Sequence, residues 1–337
     1  MNWKFWRRTA NLIGMEIKDS IIKLVELQKN NNEMLLLSYY IDQVPEGLIT
    51  EGKIQNHEDF SDFLYSVLNK AGIQGKNIHL TISSHNILLR SIRIPNLPKR
   101  ELKKAVEMEI QNSIQLPFDE YVSDFAVITE QVKGKETKEL DLMLVIAPKS
   151  YVLSYVEAFQ ESDLLPQSVD LAPLAVQRVI QKERNIGETY MIVNIGEKST
   201  EVSLFHKQVL RLVRTFNLDL RSYLANMPFY DAQSVLEDRA GENILQSFAA
   251  DMGNEIERVM NFYLYTLNNR DQSLAEIILV GDIQNLEQVS RYLSTRLNVE
   301  SHVAKAGGVI LSPELVESSF REVEASLVVP LGMALKE

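Results

Sequence analysis

A repeated hairpin pattern constrains the fold of this chain more than any other feature of its sequence. Residues 11–27, NLIGMEIKDSIIKLVEL, contain two short runs rich in aliphatic residues around a polar turn, which is typical of a β-hairpin. Residues 190–205, YMIVNIGEKSTEVSLF, have the same form, and aligning residues 16–19 with 194–197 also brings the flanking β-branched residues into register. Internal repetition of this kind predicts two halves that are built on one plan.

The rest of the chain alternates between strand and helix patterns. We expect a third strand at residues 35–41, then a helix at 58–71 with Gly72 as its C-cap. Further helices are predicted at residues 99–114, 149–162, 218–226, 230–240, 243–267, 286–297 and 326–336, and one begins near residue 172. Further strands are predicted at 123–131, 140–147, 167–169 and 276–280. This order predicts an α/β protein.

Residues 78–147 read as a compact strand-helix-strand-strand unit, because β-rich runs flank the helix that follows Pro98. Such a unit is a candidate insertion into the first half. We therefore predict a first domain at residues 1–77 and 165–187, with an inserted subdomain at 78–164. The second domain is predicted at residues 188–217 and 273–337, with a helical subdomain at 218–272.

Composition excludes several classes of protein. The formal net charge of −11 argues against general affinity for nucleic acid or anionic lipid, since both need a positive surface. The chain has no cysteine, so disulfides and thiolate sites are excluded. No stretch approaches the roughly 20 apolar residues of a membrane span. We expect a cytoplasmic protein that reaches the inner face of the cell membrane through a partner.

Common catalytic motifs are missing from the sequence. It contains no GxxxxGK[ST], HExxH or GxSxG pattern, and its five histidines are scattered. Triad or metal chemistry built on histidine is therefore not predicted, and the histidines are expected to be surface or packing residues.

Four segments in a fixed order resemble the PilM family of type IV pilus assembly proteins, within the actin, Hsp70 and FtsA superfamily. Residues 13–27 are similar to its first phosphate loop, 193–200 to the second, 277–282 to the adenosine segment and 331–336 to the terminal helix. Residues 94–118 and 169–175 also resemble parts of this family. The resemblance implies an actin-like (ribonuclease H-like) two-domain fold with an inserted strand-helix-strand-strand subdomain.

The resemblance also implies ATP and Mg²⁺ in a cleft between the domains. A hairpin turn that presents successive N–H groups can hold phosphate, and side-chain oxygens at the strand ends can hold Mg²⁺ through water. The resemblance assigns this role to the Glu16 carboxylate and the Asn194 amide oxygen. The implied nucleotide-binding residues are Gly14, Glu16, Lys18, Ser20, Lys23, Asn194, Gly196, Ser199, Thr200, Glu255, Arg258, Gly281 and Asp282. The alternatives are ordinary hairpin turns and, for Glu255 with Arg258, an exposed ion pair on one helix face.

The loops depart from the family pattern. Glu16 and Asn194 stand where the family usually has Asp, Lys18 stands at a glycine of the first loop, and Asp282 stands at the second glycine of the adenosine segment. Lys18 adds a side chain where backbone should approach phosphate, and Asp282 adds a repulsive charge. These departures predict that ATP hydrolysis is very slow or absent.

The partner implied by the resemblance is the N-terminal cytoplasmic tail of a PilN-like bitopic membrane protein, alongside other pilus assembly proteins. The tail is expected in a cleft between the first domain and the inserted subdomain, where an extended peptide can pair with a sheet edge. The candidate edge is residues 86–94, with Leu89 and Arg90 as peptide-binding residues. The alternative is that this strand is an internal core strand.

Other functions remain open on the sequence alone, because a fold does not determine a function. An active ATPase or sugar-kinase-like enzyme would need a catalytic Asp near its acceptor, and none is clearly placed. An FtsA-like cell-division protein would need a C-terminal amphipathic membrane helix after a linker, whereas this sequence ends directly after its last predicted helix.

Overall fold

The first sheet contains the first predicted hairpin. The computed structural model describes residues 11–30, 33–73, 75–128, 139–224, 239–267, 269–283 and 285–336. The first sheet has six strands in the order β10-β6-β1-β2-β3-β16. The β1–β2 pairing is antiparallel from Asn11 opposite Gln28 to Ile17 opposite Ile22, which confirms the hairpin. The strands are β1 Asn11–Ile17, β2 Ile21–Asn30, β3 Glu33–Gln43, β6 Asn77–Thr81, β10 Leu165–Asp170 and β16 Val309–Leu311.

The second sheet repeats the plan of the first. Its five strands follow the order β13-β12-β11-β14-β15, so an antiparallel hairpin is again extended by a third strand on one side and parallel strands on the other. The repetition predicted from the two hairpins is thus present in both sheets. The strands are β11 Thr189–Ile195, β12 Thr200–His206, β13 Val209–Phe216, β14 Glu276–Gly281 and β15 Glu300–Val303.

A separate unit contains the predicted strand-helix-strand-strand order. Its sheet has the order β7-β9-β8, from β7 Leu88–Pro95, β8 Tyr121–Val127 and β9 Glu139–Pro148, and helix α2 spans Lys99–Ser113. Leu102, Val106 and Ile110, spaced four apart along α2, are buried in a core with Leu142 and Leu144 of β9. Burial of one apolar helix face on one sheet face gives the unit its own core.

The predicted limits of this inserted unit are wrong at both ends. Strand β6 pairs in parallel with β1, with Ile78 opposite Ile13, so it belongs to the first sheet. Helix α3, Lys149–Glu161, buries Tyr155 and Phe159 in the same core as Phe60 of α1. Both segments are next to the inserted unit in sequence but pack with the first sheet and its helix. The other domain limits stay a prediction.

Helix α1, His57–Ala71, has the ends that its sequence indicates. Asn56 accepts hydrogen bonds from the backbone N–H groups of Glu58 and Asp59. Gly72 has φ 64° and donates its N–H to the carbonyl of Asn69, which confirms the predicted C-cap.

The other described helices of the second half share one core with the residues of its sheet. They are α5 Leu220–Leu224, α6 Arg239–Asn261, which continues as a π-helix over Phe262–Thr266, and α7 Leu286–Leu297. The helix predicted at residues 230–240 lies almost entirely outside the described residues. Several short or edge strands were not predicted, namely β4 Ile49–Thr50, β5 Lys53–Ile54, β13, β15 and β16.

Two helices pack between the two large sheets. They are α4, Ala172–Glu183, and α8, Glu317–Ala334, and their apolar residues share one core with β2, β3, β11 and β14. Helix α8 overlaps the predicted helix at 326–336, but it begins nine residues earlier, at Glu317, and ends at Ala334. Its Ser326 lies beside the ends of β14 and β2, which places α8 next to the candidate site. Among the described helices, none is long and apolar enough to span a bilayer.

Candidate functional site

The turns of the two repeated hairpins face each other across the boundary between the sheets. Each turn is closed by a backbone hydrogen bond of 2.9 Å, from Lys18 N to Ile21 O and from Gly196 N to Ser199 O. Both turns line a cavity of about 90 Å³, together with Thr81 to His85. The two predicted phosphate loops are therefore neighbours in the structure.

Lys23 joins the two halves beneath these turns. Its ammonium nitrogen is 2.6 Å from Glu16 Oε2 and 2.6 Å from Asp282 Oδ1. It also donates to the backbone carbonyl of Ser326 at 3.1 Å, while Ser326 Oγ donates to Asp282 Oδ1 at 2.5 Å. Since Lys23 is 0% exposed, its charge is compensated entirely within this cluster.

Lys18 adds a second bridge above Lys23. Its Nζ donates to Asn194 Oδ1 at 3.0 Å and lies 3.2 Å from Glu16 Oε1. It is also 3.5 Å from Asp282 Oδ2, so one ammonium group contacts β11 and the end of β14. We call Glu16, Lys18, Lys23, Asn194 and Asp282 the cross-cleft network.

The electrostatics of this network keep Asp282 and Lys18 charged. Burial opposes ionisation of Asp282, but Lys23 and Lys18 outweigh burial and lower the pKa of Asp282 from 3.8 to about 2. Burial likewise opposes the charge of Lys18, yet Glu16 and Asp282 raise the pKa of its ammonium group. At neutral pH the network is therefore a set of ion pairs across the boundary.

The other predicted loop residues differ in their roles. Ser20, Gly196 and Ser199 line the 90 Å³ cavity, as the loop prediction requires. Thr200 is fully buried, and its hydroxyl donates to the carbonyl of Leu218 at 2.8 Å. The Thr200 hydroxyl therefore already has a hydrogen-bond acceptor within the second half of the chain.

Two predicted glycines serve close packing. A Cβ on Gly14 would lie 1.9 Å from the carbonyl oxygen of Pro330, so this glycine allows α8 to approach β1 and does not line the cavity. Gly281 has φ 142°, and a Cβ there would lie 2.1 Å from the carbonyl oxygen of Ile195. Gly281 thereby holds the end of β14 against β11, where Asp282 enters the network.

Glu255 and Arg258 on α6 are paired with each other, at 2.5 Å between Arg258 Nη1 and Glu255 Oε1. Neither residue is among the described residues that line the cavities beside the hairpin turns. Their arrangement matches the alternative of an intrahelical ion pair.

The predicted magnesium residues do not fit a divalent cation in this arrangement. Both carboxylate oxygens of Glu16 lie within 3.2 Å of a lysine ammonium group, and Asn194 Oδ1 accepts from Lys18. Lysine ammonium groups at these positions repel Mg²⁺ and occupy its ligand atoms. Within the described ranges, no group of three or more Asp, Glu or His side chains is arranged to hold a metal.

A larger cavity of about 830 Å³ lies on the other side of Asp282. Gly281, Asp282 and Asn285 line it from the predicted adenosine segment, with Lys305 and Arg321 among its cations. Pockets of about 300–1,000 Å³ accommodate ligands of nucleotide size, whereas 90 Å³ does not.

Sequence reasoning missed three polar residues at this boundary. Ser326 closes the network from α8, and Ser84 donates its hydroxyl to Glu201 beside the hairpin turns. Burial raises the pKa of Glu201, and its Oε1 has no hydrogen-bond partner among the described residues. Nothing in the local sequence signals these roles, because each partner is distant along the chain.

Comparison with known proteins gives the family. A family model described as type IV pilus assembly protein PilM matches residues 14–219 and 230–337. The chain belongs to the PilM family. The resemblance inferred from the loops is thus confirmed.

Solved structures agree with this fold. A chain of a PilM-PilN type IV pilus biogenesis complex aligns with TM-score 0.80 and 23% identity, over 97% of this chain and 98% of that chain. The ethanolamine utilization protein EutJ from Carboxydothermus hydrogenoformans aligns with TM-score 0.54 and 14% identity, over 96% of this chain and 89% of that chain. The predicted actin-like α/β fold is confirmed.

In this PilM family member, an apolar groove of about 250 Å³ lies between the inserted unit and the first sheet. Val122, Val145 and Ala147 line it from β8 and β9, and Leu171 and Leu174 line it from α4 and the residue before that helix. Asp124 and Asp170 also line the groove. The edge of β8 that faces away from β9 is unpaired in its sheet.

The two residues predicted to bind a peptide, Leu89 and Arg90, do not line this apolar groove. Strand β7 is an edge strand of the inserted sheet, as predicted, but Leu89 and Arg90 line a cavity toward β13 and not the groove described above. Leu89 packs on the core between the large sheets, and Arg90 is exposed. The sequence pattern identified an edge strand without indicating which neighbour it faces.

Proposed function

We propose that this chain is an actin-like scaffold of type IV pilus assembly that binds the N-terminal cytoplasmic tail of a PilN-like bitopic membrane protein. The apolar groove beside β8 is the observation that carries this proposal. It lies in a chain whose fold matches, over 97% of its length, a protein found in a PilM-PilN complex.

The chemistry of the groove suits an extended apolar tail. Its walls are mostly aliphatic, and the free edge of β8 offers backbone groups to an added strand. Asp170 is paired with Arg178 and with Lys336, which also lines the groove, each at 2.9 Å. Asp124 is therefore the lining carboxylate that favours a tail with a basic residue or its free amino group. Such a tail would recruit the protein to the cytoplasmic face of the membrane, among other pilus assembly proteins.

A titration with matched variants tests the groove. Synthetic N-terminal peptides of the membrane proteins encoded beside this gene are titrated into wild-type protein, Val122→Asp and Val127→Asp. Both valines are exposed on β8, at 39% and 47%, but only Val122 lines the groove. We expect Val122→Asp to weaken binding by about tenfold or more, because it places a charge against an apolar peptide.

The same titration separates the two possible locations of the tail. If the tail occupies the groove, Leu89→Asp and Arg90→Glu leave its affinity unchanged, whereas loss of affinity in these variants favours the location predicted from sequence. The receptor function fails if no neighbouring tail binds wild-type protein at high micromolar concentration.

Nucleotide is proposed as a regulator and not as a substrate. The 830 Å³ cavity beside Gly281 and Asp282 has the size for a nucleoside, but phosphates could enter between the turns only if Lys18 and Lys23 release Asp282. An active ATPase or sugar kinase is not favoured, because Glu16 and Asn194 do not offer a magnesium site.

A further inference from the structure

A second large cavity separates the inserted unit from the second sheet. Its volume is about 770 Å³, and β7 and β13 form opposite walls. Each of these strands is at the edge of its own sheet, with one unpaired edge. The floor is apolar, with Ile87, Leu89 and Leu171 among its residues.

The charge of this cavity is opposite to that of the whole chain. Arg90, Arg211 and Arg214 line it, together with His85, and none of its described lining residues is Asp or Glu. The chain as a whole has a net charge of −11. A local cluster of cations on an acidic protein favours binding of an anionic partner and disfavours basic ones.

Arg211 has one buried donor without an internal acceptor in the described ranges. Leu204 pairs with Leu212 and Phe205 with Leu210, so Arg211 is the extra residue of a β-bulge in β13. Its Nε is buried and has no hydrogen-bond partner within the described part of the chain. Burial lowers the pKa of Arg211 despite the attraction of Asp141, and Asp141 is itself paired with Arg93 at 2.8 Å.

Arg214 and Arg90 add donors at the entrance. The Arg214 guanidinium carbon lies 5.3 Å from the centre of the Phe262 ring, and contact with a ring face leaves the guanidinium edge able to donate to a carboxylate. Arg90 and Ser91 are exposed on β7. Solvent therefore reaches the β7 side of the cavity, and Arg214 on β13 is exposed beside it.

We infer that this cavity binds an extended acidic segment of a partner protein, which pairs with the free edge of β7 and places carboxylates against Arg90, Arg211 and Arg214. Cα atoms of β7 and β13 come within 8 Å of each other, which is less than two strand spacings. No strand fits between β7 and β13 at that point, so the added segment pairs with β7 away from this contact. This cavity shares Ile87 and Leu171 with the groove beside β8, but its other wall is β13.

The test uses designed peptides and charge-reversal variants. A fluorescein-labelled peptide of alternating threonine and glutamate is compared, by fluorescence anisotropy, with a peptide of alternating threonine and lysine. The proteins are wild type, Arg90→Glu, Arg214→Glu and the control Lys104→Glu, which makes the same charge change at an exposed position of α2. Hydrogen exchange of the β7 amides is measured with and without the acidic peptide.

We expect the acidic peptide to bind at least about tenfold more tightly than the basic one, and more weakly as salt rises. Arg90→Glu and Arg214→Glu should each reduce its affinity by about tenfold, Lys104→Glu should not, and the β7 amides should become protected. The inference is overturned by equal affinity for the two peptides, by absence of binding, or by an equal loss in Lys104→Glu. Two results together also overturn it: inorganic triphosphate displaces the acidic peptide, and the peptide does not slow hydrogen exchange of the β7 amides. The site would then be one for small anions and not for an added strand.

Discussion

At the level of single residues, Lys23 decides how the candidate site is stabilised. A buried ion pair gains little over an apolar core when it is intact, but removal of one partner leaves an uncompensated charge. Lys23 lies between Glu16 and Asp282, and both of these side chains are at most 4% exposed. Its contribution to stability should therefore be large when it is removed alone.

Lys23→Met should lower the free energy of unfolding by about 3–5 kcal/mol, because Glu16 and Asp282 lose their shared cation. Urea denaturation of wild type, Lys23→Met and Lys53→Met measures this change. Lys53 is exposed on β5, so its replacement should alter stability by no more than about 0.5 kcal/mol. Equal stability of both variants would show that the buried cation is dispensable.

Asp282 should make the free energy of unfolding depend on pH in the acidic range. Its pKa in the folded protein, about 2, lies below its usual value of 3.8, so its stabilisation is present above about pH 4. This stabilisation is lost as pH falls from about 4 to 2, and it corresponds to about 2 kcal/mol. Unfolding free energies measured over this interval should fall more steeply in wild type than in Asp282→Asn. Parallel curves would contradict the assignment.

At the level of elements, α8 is the piece that joins the two halves. It packs against β1 and β14 and against α4, and it contributes Ser326 to the Asp282 contact. Two glycines allow this position. A Cβ on Gly14 would meet the Pro330 carbonyl oxygen at 1.9 Å, and a Cβ on Gly332 would meet the Ala175 carbonyl oxygen at 2.0 Å.

Gly14→Ala and Gly332→Ala should each destabilise the protein by about 1–3 kcal/mol or more, since backbone atoms cannot yield as side chains do. Gly253→Ala is the matched control, because the added methyl would meet only the flexible end of Arg296. Thermal unfolding should give a clear loss for the first two variants and little change for the control. A stable Gly14→Ala protein would mean that α8 can shift away from β1.

At the level of the whole molecule, the cross-cleft network ties the two halves together without a ligand. Lys18 extends from the first hairpin to Asn194 and Asp282, and Lys23 lies beneath it. The same contacts occupy the space where the loop resemblance implies phosphates and Mg²⁺. A nucleotide entering there would have to compete with the protein's own ion pairs.

ATP with Mg²⁺ should raise the melting temperature of wild-type protein only slightly, because binding must first break the Lys18 and Lys23 contacts with Asp282, and turnover should stay below one per minute. Lys18→Gly should increase the rise in melting temperature on addition of ATP. This variant restores the glycine that is usual in the family and removes the Lys18 contact with Asn194. If nucleotide binds, Ser199→Ala should weaken it, since Ser199 lines the space between the turns. Several turnovers per minute, abolished by Lys23→Ala, would refute this view of the cleft.

Local sequence patterns determined much of the architecture. The two hairpins, the α1 C-cap at Gly72 and the strand-helix-strand-strand unit were predictable, because strand alternation, helix periodicity and turn residues depend on neighbours in the chain. The family followed from the resemblance of four segments in a fixed order, which also implied that Glu16, Lys18, Asn194 and Asp282 lie near one another.

Only the tertiary structure decided what these residues do together. The Lys23 to Asp282 contact joins residues 259 positions apart, and the Lys23 to Ser326 contact joins residues 303 positions apart. The place of β6 in the first sheet and the turn of β7 toward β13 likewise depend on how separate layers pack. A sequence pattern reports which side chains are charged or apolar, but burial and charge pairing between distant segments follow from the packing of the whole chain.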